Sequence, residues 1–125
     1  MKKSIATLTL MLVCSGALCH AQTKGNDCIM AVTYSEMAYK DFKNAFKADS
    51  SEDVQNKTAK AVKSATEAAA FSNICNCSLA KNYALNAVTF GNKALKEADP
   101  AKQKKLVKQA MDMSLDVMTA TPNCK

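Results

Sequence analysis

This chain of 125 residues has no arginine, no tryptophan, one histidine, two prolines and three glycines. Each scarcity excludes something. With Pro and Gly so rare there are few turns, which argues against sheet architectures and for long helices. Without arginine there are no planar forks for bidentate recognition of phosphate or guanine, so nucleic acid is not an expected partner. The lone histidine, His20, falls in the first 21 residues, which read as a secretory signal. Lys2 and Lys3 precede an apolar run from Ile5 to Val13, and small residues lead to a cleavage point after Ala21. Neither Cys14 nor Cys19 follows a small residue, so processing as a lipoprotein is not expected. The run is too short to span a bilayer, and no later stretch approaches the ~20 apolar residues of a membrane helix.

With the signal gone, residues 22–125 contain no His, Trp or Arg, and fifteen lysines (seventeen less Lys2 and Lys3) face eleven acids, a mild excess of +4. The remaining length suits one domain with a modest core. An enzyme needs an acid, base or nucleophile held in a cleft, and the inventory is poor. The acids sit at turns and solvent faces; Asp112 and Asp116, one helical turn apart, are the nearest thing to a pair. A non-catalytic protein is expected. The short signal with its Ala-Gln junction is of the bacterial type, which points to the periplasm or the exterior.

What the chain does have is a cysteine spacing that occurs twice. Cys28 is followed by Cys75, and Cys77 by Cys124, at the same interval. Sliding the sequence by 49 residues superposes Cys28 on Cys77, Tyr34 on Tyr83, Lys47 on Lys96 and Cys75 on Cys124. We read two tandem copies of one unit, about 27–75 and about 77–124. In an exported chain, four cysteines form two disulfides more readily than they stay thiols.

Apolar and small residues recur at spacings of three and four, which predicts four helices and no strand. The first is expected from Asp27 to Ala48, the second from Ser50 or Ser51 to Asn73. The third should run from Ser78 to Ala98; the fourth has Asp99 as cap, Pro100 at its first position and an end near Thr121. Short links between helices of this length give an all-α, up-down-up-down four-helix bundle of two hairpins. All four cysteines then lie at one end. The favoured pairing is Cys28–Cys75 with Cys77–Cys124, each closing one hairpin; the crossed pairing Cys28–Cys77 with Cys75–Cys124 ranks second.

Two small-residue seams explain the alanine content: Ala80, Ala84, Ala87, Gly91, Ala94 and Ala98 in the third helix, and Thr58, Ala61, Ala65, Ala68, Ser72 and Cys75 in the second. Small side chains let helix axes approach to about 8 Å. Larger ones (Tyr34, Phe42, Phe46, Phe71, Leu79, Tyr83, Phe90, Leu95, Leu106, Met113 and Val117) should flank the seams, leaving little room for a buried cofactor, and none is expected. Lys102, Lys104, Lys105 and Lys108 crowd the start of the fourth helix, where the dipole disfavours cations, and form a candidate anion or partner patch against the alternative of a solvated face. Tyr34 and Tyr83, with Asn86, form a candidate pocket between the repeats; core packing is the plainer reading. Cys75-Asn76-Cys77 with Met30, Met37, Met111, Met113 and Met118 would suit copper(I), but structural disulfides and core methionines account for the same residues. The leading function is an exported module that binds a protein partner or serves a structural role; a small-molecule or copper carrier is second.

Overall fold

The computed structural model describes residues 23–124, with side chains from Cys28 onward. The signal over 1–21 and its cleavage point lie outside the described residues. Four helices follow one another: α1 Thr23–Lys47, α2 Ser51–Ile74, α3 Ser78–Lys96 and α4 Pro100–Ala120, with a 3-10 turn over Thr121–Asn123 and no strand among the described residues. Capping chemistry sets two of the starts. Asp53 N–H donates to Ser50 Oγ at 3.1 Å, with Glu52 and Asp53 in the positive first turn of α2. The N–H groups of Ala101 and Lys102 donate to Asp99 Oδ1 at 2.9 and 3.0 Å, and Pro100 opens α4 where a missing N–H costs nothing.

Two expected boundaries move. Helix α1 is already formed at Thr23, the first described residue, so Asp27 lies inside it and not at its cap; extending a nucleated helix gains one hydrogen bond per residue. Helix α3 stops at Lys96, where Glu97 turns extended (φ −81°, ψ 125°), and Asp99, which Pro100 keeps out of the helical region, is extended in turn (φ −79°, ψ 117°) as the cap of the next helix. Ala98, expected in the seam, is consequently exposed.

Each helix runs against the one before it. Tyr34 stacks on Phe71 near one end of α1 and α2, ring centroids 5.4 Å apart, while Asp41 meets Lys60 at 3.4 Å nearer the other. Across α2 and α3, Asn73 bonds Lys81 and Val62 lies beside Gly91. Across α3 and α4, Cys77 is bridged to Cys124 and Gln103 Nε2 donates to Ala94 O at 3.0 Å, giving a carbonyl at the end of α3 a partner. Helix α4 also packs on α1, so the four form a closed ring.

The seams are buried as expected, apart from Ala98. Most of the larger residues flank them half-buried, but Phe46 and Leu79 are exposed, and Phe42 and Val117 lie fully inside. Phe42 fits because Gly91 faces it. A Cβ at Gly91 would collide with Val62 Cγ2 and press on the Phe42 ring at 3.1 and 3.2 Å. Gly91→Ala therefore sets two effects against each other. Helix propensity favours Ala by about 1 kcal/mol, but overpacking costs about 1–3 kcal/mol. Val62, β-branched on a helix, holds one rotamer and cannot swing aside. We expect Gly91→Ala to lower the denaturation midpoint, and Gly91→Ala with Val62→Ala to be at least as stable as Val62→Ala alone. An unchanged midpoint for the single variant would mean that the axes of α2 and α3 part easily.

Candidate functional site

The four cysteines meet at one end of the bundle in the pairing ranked first, Cys28–Cys75 and Cys77–Cys124, with Cα–Cα distances of 5.4 and 5.2 Å and a sequence separation of 47 in each. One residue joins the two hairpins. Asn76 is the only non-glycine at positive φ (63°) among the described residues; its N–H donates to Asn73 O at 3.1 Å and that of Cys77 to Ser72 O at 2.8 Å. This is the Schellman closure of α2, with Asn in the left-handed position that its short polar side chain tolerates. Cys77 then serves as the first residue before α3, so a single link ends one helix and begins the next.

The bridges belong to the core. Cys75 and Cys77 are buried with Ala68, Ala69, Ala80, Ala84, Val117 and Ala120, and Tyr34, Tyr83, Cys28 and Cys124 pack on this cluster. With every sulfur of the four in a disulfide, no cysteine among the described residues is left as a thiolate for a soft metal. Met30, Met111, Met113 and Met118 are half-buried and Met37 is exposed. Among the described residues no three His, Cys, Asp or Glu side chains converge.

Large apolar side chains stand exposed at this end. Among the described residues the three most exposed large hydrophobics are Ile29 (62%), Ile74 (56%) and Leu79 (54%), and each lies within two positions of a bridged cysteine. Cys28, Ile29, Val32 and Thr33 of α1 with Thr121 and Pro122 wall an open apolar groove of about 300 Å³. Charge is denser toward the opposite end, with Lys47, Asp49, Glu52, Asp53, Lys96, Glu97, Asp99 and Lys102, while Asp27, Lys81 and Lys125 are the charged residues nearest the cysteines in sequence. No charged residue stands in 28–35, 68–80, 82–92 or 117–124. Those uncharged windows were a sequence signal for this surface that periodicity alone does not weigh, since it reports faces and not ends.

The candidate pocket of Tyr34, Tyr83 and Asn86 is dispersed. Tyr34 lines a groove of about 460 Å³ whose other walls are Met37, Lys60, Lys63, Ser64 and Glu67, all from α1 and α2. Tyr83 packs on the core cluster and Asn86 is exposed. The lysines at the start of α4 are spread as well. Lys102 and Lys105 are exposed, Lys104 is half-buried, and Lys108 pairs with Asp112 at 2.8 Å. Asp99 already accepts two N–H groups at that helix start, which takes up donors an external anion would use.

No family model, curated protein or solved structure matches this chain.

Proposed function

We propose that the protein is an exported, disulfide-stabilised helical bundle built from a duplicated hairpin, and that it acts without catalysis by docking a protein partner on its cysteine-closed end. The observation that carries this reading is the placement of Ile29, Ile74 and Leu79, the most exposed large hydrophobics among the described residues, each within two positions of a bridged cysteine. Large apolar side chains left exposed together at one end of a bundle suit an interaction site. Disulfides suit an oxidising compartment, and no described helix is long and apolar enough to cross a membrane. The equal loop sizes of the two bridges, and the packing of Tyr34 and Tyr83 on one core cluster, support the duplication. A copper(I) carrier would need the thiolates that the bridges consume.

A photo-crosslinking residue placed at Ile29 or Leu79, and at Glu52 on the opposite end as control, tests the docking face in cells that export the protein. Adducts of discrete mass are expected from the first two positions and not from the third. Adding Leu79→Lys to the chain labelled at Ile29 should abolish the adduct, while the melting transition stays within about 0.5 kcal/mol, as for most surface substitutions. Adducts equally strong from Glu52, or none from any position, would overturn the reading.

A further inference from the structure

Beside Leu79, where α2 gives way to α3, lies a small polar pocket of about 50 Å³ walled by Ser72, Asn73, Asn76, Cys77, Ser78 and Lys81. That exceeds the ~10–15 Å³ a single water needs and is far below the size of a cofactor. Ser72 is 0% exposed and its Oγ has no hydrogen-bond partner. Ser35 and Thr58 also carry unpartnered hydroxyls, but they are not among the walls of this pocket. An unmade hydrogen bond at a buried hydroxyl is costly, and of the three only Ser72 belongs to the wall of a polar pocket.

The other walls supply donors. The residue before α3 is Cys77, whose sulfur is committed to Cys124 and makes no side-chain cap, while its N–H is taken by Ser72 O. By helix geometry the N–H groups of Ser78, Leu79 and Ala80 have no acceptor within α3, and they carry the positive end of its dipole. Lys81 Nζ is held at 2.8 Å from Asn73 Oδ1. From Ala68 to Asn92, Lys81 is the only charged residue.

We infer that this pocket binds a small oxyanion of the carboxylate class. The Ser72 hydroxyl, the Lys81 ammonium and the first N–H groups of α3 are the donors. The inference stands whether or not the apolar end docks a protein, since its basis is the orphan hydroxyl and the uncapped helix start. Two sources carry the same chemistry: a free organic acid, or a carboxylate borne on a peptide chain that also contacts Ile74 and Leu79.

The test uses disulfide-intact, nitrogen-15-labelled protein titrated with sodium acetate at fixed ionic strength. Saturable shifts are expected at the amides of Ser78, Leu79 and Ala80, and not at those of Ala101 and Lys102, which Asp99 already caps. Ser72→Ala, conservative in an alanine seam, and Lys81→Gln should each weaken binding about tenfold, the scale of one charge-assisted hydrogen bond. N-acetyl-leucyl-leucine and its amide separate the sources. Tighter binding of the acid than of acetate assigns the site to a chain-borne carboxylate, and equal binding assigns it to a free acid. Shifts that rise linearly without saturation, or that persist unchanged in Ser72→Ala, would overturn the inference.

Discussion

Reducing both disulfides, or replacing all four cysteines by alanine, is expected to unfold this protein or leave it at the margin of stability. Each bridge closes a loop of 47 residues. In the chain-entropy model a loop of that size is worth about 4 kcal/mol, and two such terms compare with the 5–15 kcal/mol of a whole domain. Breaking one bridge should lower the melting temperature by roughly 15–30 °C for a domain of this size. The core at this end raises the stake, because Val117 is its one buried aliphatic larger than alanine and the sulfurs supply much of the remaining bulk. Equal loop lengths also make the two bridges a controlled comparison. Their entropic terms match, so any difference between Cys28→Ala/Cys75→Ala and Cys77→Ala/Cys124→Ala reports packing. Cys77 is 1% exposed and Cys75 7%, so loss of the second bridge should cost more. Circular-dichroism melts with and without reductant, on protein whose free thiols have been counted, check this; a transition unmoved by full reduction would refute it.

Phe42→Ala should be the most damaging single substitution in the other half of the core. Phe42 is fully buried among Ala38, Ala45, Ala61, Ala65, Ala87 and Ala94, with Gly91 directly opposite. Truncating a buried phenylalanine costs about 3–5 kcal/mol, and the amount depends on how far neighbours collapse into the cavity. The nearest buried neighbours are mostly alanines, while Val62, Leu106, Met111 and Met113 pack on the same cluster and can close part of the gap. A loss within that range is therefore expected, with Phe42→Leu intermediate. Urea unfolding would show a lower midpoint at unchanged slope, meaning lost stability without a change in the surface exposed. A loss below about 1 kcal/mol would show that the seams close up around the gap.

Local chemistry was legible along the chain wherever a side chain acts on its own backbone. Ser50 and Asp99 cap α2 and α4 where their types and the following acids or proline say they should. The small-residue rhythm placed both seams, and the doubled cysteine interval ranked the pairing that is observed. Harder to read were features set by what lies across the bundle. Phe42, Phe46 and Leu79 share a hydrophobic character, yet one is central and two are exposed, because only Phe42 faces a glycine on the diagonal helix. Tyr83 and Asn86 lie one turn apart on α3, but the groove at Tyr34 is walled by α1 and α2.

By itself, then, the sequence determined the helices, most of their limits, the buried faces of α2 and α3 and the end at which the cysteines gather, since these follow from spacing and capping within a few residues. Only the tertiary structure decided which large side chain enters the core, that the cysteine end carries the exposed Ile29, Ile74 and Leu79, and that Ser72 lies unpartnered in a polar pocket at the start of α3. The physical reason is that burial and hydrogen bonding depend on groups remote in the chain. A helical period says which residues share a stripe, but how wide the covered stripe is, and whether a polar atom on it finds a partner, is settled by the neighbouring helix.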